Sequence, residues 1–211
     1  MLRIWGQPLS NNLLQQLATP QAGDLESFPD IKYDRQTFPQ AGGVASLKFF
    51  NAIGGGPNVT NMEAAGQFPA PQWFQLFAIC ITPMTAGPSN ITETASGTNQ
   101  TGINNDWDLL TKTQGAVINF TISRKAYGPW PVLACHGLGG AFGVIVNGGG
   151  STGQQTVANG PADGGFGPQG EVVIPPNVGF TCDIQLAAAQ ALSVATLVEV
   201  ALIGRIYRAP R

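Results

Sequence analysis

The chain has 211 residues, with 10 Lys and Arg against 12 Asp and Glu and a net charge of −2. That length suits a single all-β domain and buries a core without help from a disulfide or a metal. Charged residues are only 10% of the chain, against about 25% in ordinary soluble domains, which argues against a free monomer with a charged surface and predicts a subunit largely covered in an assembly.

Residues 1–40 read as an extended N-terminal arm. Asn12 is placed to cap a short helix with Leu13, Leu14 and Leu17 on one side, ended by Pro20. Pro29, Pro39 and five charges of mixed sign between Asp24 and Asp34 follow. Such an arm makes sense lying along a neighbour or along its own sheet, and it is expected to matter more for assembly than for folding. Met1 to Leu17 lacks the apolar run of a signal peptide.

Residues 41–211 read as one β-sandwich domain. Val44 to Ile53 is a candidate strand closed by Gly54-Gly55-Gly56-Pro57. Gln72 to Ile81 is aromatic and β-branched, a strong strand signal ended by Pro83. Thr85 to Asp108 is polar and reads as a long surface loop. Strands are predicted over Ala116 to Ser123, Trp130 to Cys135 and Ala141 to Val146. The turn around Gly128 precedes the second of these. Glycine is dense from Gly137 to Gly170, which predicts turns and a flexible excursion. Val172 to Ile174 is a further short strand.

The ending carries the clearest pattern. Phe180, Cys182, Ile184 and Leu186 fall on one face of a strand, with Thr181, Asp183 and Gln185 on the other. A small-residue turn from Ala187 to Ala191 follows. Val194, Val198, Val200, Leu202 and Ile206 then alternate with Ala195, Leu197, Ala201, Ile203 and Tyr207. A strand apolar on both faces suits the middle of a sheet or one covered by a partner. The total is about eight short strands with Gly/Pro turns. That pattern predicts two packed antiparallel sheets of jelly-roll type, with a closed barrel as the competing arrangement.

Chemistry-bearing motifs are few. Gly165-Phe166-Gly167-Pro168-Gln169-Gly170 matches G-x-G-x-x-G, but the dinucleotide fingerprint needs a strand before it and a helix after it. A loop precedes this one and Val172-Val173-Ile174-Pro175-Pro176 follows, so the match reads as a glycine-rich loop. His136 is the only histidine. In a strand it and Cys135 point to opposite faces, and a Cys₃His zinc site requires Cys80, Cys135 and Cys182 to converge. A hydrogen-bonded strand-end histidine is the preferred reading. The three cysteines lack CxxC spacing and read as free buried thiols in a reducing compartment.

Asp106 and Asp108 flank Trp107 and are spaced to share a cation, or form a polar turn anchored by the Trp. No carboxylate pair is nominated for glycosidase work. Trp73, Phe74 and Phe77 are expected in the core. Tyr127, Trp130 and Trp107, near turns, are anchors or a sugar platform. The basic trio Arg205, Arg208 and Arg211 reads as scattered charge, not as a nucleic-acid face. No run approaches the ~18 apolar residues of a membrane span. The sequons at Asn58, Asn90, Asn99 and Asn119 read as products of an Asn/Thr-rich composition.

The run Glu171-Val-Val-Ile-Pro-Pro-Asn-Val-Gly-Phe-Thr-Cys-Asp-Ile-Gln-Leu, followed by the closing Ala201-Leu-Ile-Gly-Arg-Ile-Tyr-Arg, resembles the closing strands of jelly-roll virion proteins of bacteriophages. Pro-Pro, then an alternating strand, then a long apolar last strand recurs in their small capsid and capsid-decorating subunits. The resemblance implies a non-enzymatic structural subunit without catalytic, cofactor or metal residues. It implies a homo-oligomer assembled in the host cytoplasm on or within an icosahedral shell, as shell subunit or cement protein, in contact with a major capsid protein or neighbouring capsid subunits. The alternative is a carbohydrate- or receptor-binding jelly-roll module of a virion. An oxygenase of cupin type wants about two or three metal-binding histidines, which this chain does not have.

Overall fold

The computed structural model describes residues 26–40, 42–85, 114–135, 141–146, 154–159, 172–192 and 195–208. These residues form an all-β protein in which two antiparallel sheets pack against each other as a β-sandwich. Sheet A has the order β1 (Glu26–Phe38), β11 (Thr196–Arg208), β3 (Trp73–Thr85), β9 (Val172–Ile174). Sheet B has the order β2 (Val44–Phe49), β10 (Phe180–Gln190), β4 (Val117–Ile122), β5 (Lys125–Ala126), with β6 (Trp130–Pro131) also paired to β4. A separate hairpin joins β7 (Ala141–Val146) to β8 (Gln154–Asn159).

The pairing is nested. The first strand pairs with the last, the second with the tenth, the third with the ninth, and β4 with β5 at the centre.

The core follows from alternation. On β11, Val198, Val200, Leu202 and Ile206 turn into the sandwich and are fully or almost fully buried. From β10, Phe180, Cys182 and Ile184 meet them across the interior. An aromatic column links the sheets: Phe74 of β3 stacks on Phe68 with ring centroids 4.7 Å apart. Phe68 stacks on Phe180 of β10 at 5.8 Å, and Phe180 meets Phe120 of β4 at 5.7 Å. Such offset pairs add to area burial. β11 is central, and its second face is buried too. Ala201 and Ile203 pack there with Ala78 and Cys80 of β3, and Tyr33 lies against them. On that face the Tyr207 hydroxyl donates to Gln75 Oε1 at 2.8 Å.

The structure corrects several expectations. Residues 26–38 of the expected arm lie along the chain's own sheet, one of the two placements expected, but as a full strand of the domain and not as an appendage to it. All 13 residues of β1 are in register with β11, and Phe38 is fully buried. Prolines suggested an arm, but an edge strand tolerates them where the missing N–H faces outward. The short helix expected after Asn12 lies outside the described residues. β2 stops at Phe49, because Phe50 adopts φ 60°. β3 runs on through Pro83 to Thr85, since among the described residues its pairing beyond Leu76 is with β11 on one side only. Its register slips between Ile203 and Gly204, leaving Phe77 unopposed, and this bulge moves the core face from Phe74 and Leu76 to Ile79 and Ile81.

The alanine-rich stretch expected as a turn continues β10 to Gln190, past a bulge, where it pairs with Val44. Trp130 to Cys135 is a strand for two residues only, after which Val132–Cys135 forms a 3₁₀ turn. The glycine-dense excursion contains β7 and β8. Of the polar loop expected after β3, residues 86–108 lie outside the described residues.

Candidate functional site

The residues singled out for chemistry do not assemble into one site. His136, Asp106, Trp107, Asp108 and Gly165 to Gly170 lie outside the described residues. The glycine motif is followed by strand β9, not by the helix a dinucleotide needs. Cys135 ends a 3₁₀ turn, so the strand argument that set it opposite His136 does not apply.

Cys80, Cys135 and Cys182 are all free and buried. Burial pushes the Cys135 thiol from its usual 9.0 up to about 12, and the neighbouring Cys80 adds to the rise. Burial also pushes Cys182 well up, with Asp183, Cys135 and Asp34 contributing. Raised thiols carry little thiolate and make poor nucleophiles. Cys182 packs in the sandwich core and Cys80 on the opposite face of sheet A. Among the described residues no group of three His, Cys, Asp or Glu side chains is placed to hold a metal ion.

The aromatics divide as core and anchors. Phe74 is fully buried, whereas Trp73 and Phe77 are half-buried. Tyr127 and Trp130 pack against the core, and the Lys125 ammonium sits 4.7 Å over the Tyr127 ring. The large apolar side chains exposed among the described residues are Ile31, Ile53 and Leu133, none of them aromatic.

Among the described residues, six charged side chains pair within the chain. Lys32 Nζ lies 2.9 Å from Asp30, Arg35 Nε 2.7 Å from Glu199 and Arg208 Nε 3.0 Å from Glu26. Of the C-terminal basic trio, Arg208 is thus engaged and also lies 5.1 Å from the Phe28 ring, while Arg205 Nη1 donates to Ser27 Oγ at 3.5 Å. Arg211 lies outside the described residues.

Two surfaces remain. The outer face of sheet B is polar by alternation. Lys48, Asp183 and Asn119 stand side by side across three strands, next to Thr181 and Thr121. Asn119 Nδ2 donates to Asp183 Oδ2 at 3.4 Å. At one end a cleft of about 180 Å³ is lined by Lys48, Asn51, Thr181 and Asp183 over Phe49, Phe180 and Cys182.

The second surface is the edge of β1, closed by the segment from Pro57 to Asn61. In the sequence Gly54-Gly55-Gly56-Pro57 marks only the close of a candidate strand, and nothing there singles out Asn61. The Asn58 sequon falls in this segment, and its Thr60 is buried, donating to the Tyr33 carbonyl at 2.9 Å.

No helix among the described residues is long and apolar enough to cross a membrane. Comparison of the chain with protein-family models, with curated proteins and with solved structures finds no match in any of the three.

Proposed function

We propose that this chain is a jelly-roll structural subunit of a bacteriophage virion, set on or within an icosahedral shell as shell subunit or cement protein and bound to neighbouring capsid subunits. The observation that carries this reading is the nested pairing of β1 with β11, β2 with β10, β3 with β9 and β4 with β5. Eight strands folded back in that order and divided between two sheets support the jelly-roll reading, an architecture used by viral capsid proteins, lectins and cupins.

Fold alone does not choose among these. The chain's one histidine weighs against a cupin metal site. Low charge, with three ion pairs closed inside the chain among the described residues, favours permanent burial against other subunits. The role is then mechanical, without catalysis.

A second reading, a glycan- or receptor-binding virion module, is favoured by the amide- and hydroxyl-lined cleft beside Lys48 and Asp183. The deciding experiment is mass spectrometry and electron microscopy of purified particles. The structural reading expects the chain in many symmetric copies on the shell. A few copies at a tail or vertex, with glycan binding by the isolated protein, favours the second. A dilute monomer absent from particles overturns both.

A further inference from the structure

The exposed edge of a sheet invites strand addition, and natural proteins block it. In β1, Ile31, Tyr33 and Arg35 turn their backbone groups away from β11, and both groups of Ile31 and Tyr33 and the N–H of Arg35 are engaged. The Ile31 N–H donates to Asp30 Oδ1 at 2.9 Å, and Asn61 Nδ2 donates to the Ile31 carbonyl at 2.7 Å. The Tyr33 N–H donates to Asn61 Oδ1 at 2.9 Å. The Tyr33 carbonyl accepts from the Asn61 N–H at 3.4 Å as well as from Thr60 Oγ1. The Arg35 N–H donates to the Val59 carbonyl at 2.9 Å. The segment thus makes one antiparallel bridge, Asp34 to Thr60, and then the Asn61 amide takes the place of the next peptide group. Pro29, the preceding member of the outward set, has no N–H to offer.

What holds this strap is mostly polar. The Tyr33 hydroxyl donates to the Pro57 carbonyl, and Arg35 Nη1 donates to the Asn58 carbonyl at 2.7 Å. Residues 51–58 are all exposed. Gly54 and Gly56 have φ +95° and +75°, with no atom within 4 Å of where a Cβ would sit. Thr60 and Met62 anchor the far end in the interior. A segment with few apolar contacts, entered through left-handed glycines, sits at the low end of local stability.

We propose that Pro57 to Asn61 is a displaceable strap, and that the β1 edge it uncovers accepts β1 of a second copy of this chain, antiparallel about Tyr33. That register sets Ile31 opposite Arg35 and Lys32 opposite Asp34, on both sides of the two-fold axis. A register about Lys32 sets Asp30 against Asp34, like charge on like. A register about Ile31 brings Pro29 opposite Tyr33 and loses a ladder bond. The strap thereby decides when two copies join edge to edge.

The test uses the full chain, its Asn61→Ala variant and a labelled synthetic peptide of residues 27–37, with binding read by fluorescence anisotropy. The variant loses two strap bonds and should bind the peptide about tenfold more tightly than the parent. N-methylation of the peptide's Tyr33 nitrogen should abolish that binding, because it removes a ladder donor. Equal affinity of parent and variant, absence of binding by the variant, or indifference to N-methylation each overturns the proposal. Should Asn61→Ala fail to fold, Tyr33→Phe, which drops the bond to the Pro57 carbonyl, takes its place with a smaller gain in the same direction.

Discussion

The Asp34 carboxylate accepts a hydrogen bond from the Phe50 N–H at 2.6 Å, tying the edge of sheet A to the end of the first strand of sheet B. Asp34 is 1% exposed and also accepts from Gln36 Nε2 at 3.0 Å. Phe50 needs this partner, because its φ of 60° takes its N–H out of the ladder. Asp34→Ala should therefore leave buried donors unsatisfied and cost ~2–4 kcal/mol, whereas Asp34→Asn keeps an acceptor oxygen and should cost about half as much. Urea unfolding midpoints measure both, and an unchanged midpoint for Asp34→Ala refutes the link.

Gly204 sits at the bulge between β11 and β3. A Cβ there would overlap the Gln75 carbonyl oxygen and come within 2.6 Å of the Phe74 ring. Backbone and a core ring cannot both give way. Gly204→Ala should destabilise by ~2 kcal/mol or more, read as a drop in melting temperature. A stable variant would show that the bulge can relax.

Val200 is fully buried in the central strand. Val200→Asp places an unpaired charge in an apolar interior at a cost of several kcal/mol. That is comparable with the net stability of a domain, ~5–15 kcal/mol. The variant should accumulate unfolded or insoluble, and a soluble protein with native β-sheet circular dichroism would contradict the assigned core.

The thiols give a pH dependence. Cys135 and Cys182 are raised in the folded state, so that state holds their protons more tightly than the unfolded chain does. Their stabilising effect is complete below the unfolded value near 9.0 and falls as pH rises from there toward about 12. Stability should decline above pH ~9, by up to about 1.4 kcal/mol per pH unit for each thiol. Denaturation across pH 7–11 tests the decline. Alkylation of these thiols should be slow until the protein unfolds, and rapid labelling of native Cys182 would refute its burial.

Removal of residues 1–40 deletes β1, including its 13 register partners on β11 and the buried Phe38. The truncated chain should lose its cooperative unfolding transition. A truncated protein that keeps the parent's sheet signal and melting behaviour would restore the arm reading.

The sequence by itself determined the class and much of the core. Alternation along Phe180 to Leu186 and Val198 to Ile206 reports which side chains leave water, because successive residues of a strand point to opposite faces. It was blind where local signals and tertiary context disagree. Pro29 and Pro83 read as breakers, yet among the described residues each lies in a strand segment that pairs with a neighbouring strand on one side only, a fact set by which strands neighbour them. Ala187 to Ala189 read as a turn because small residues carry no face preference, and backbone pairing alone extends β10 through them.

The strap is the deepest case. Nothing local to Asn61 says that its amide will stand in for a peptide group beside Tyr33, 28 residues earlier in the chain. The nested pairing of first strand with last likewise joins residues from opposite ends of the chain. Only the packed structure, which must satisfy the hydrogen bonds of every buried edge, decided which edges were closed and by what.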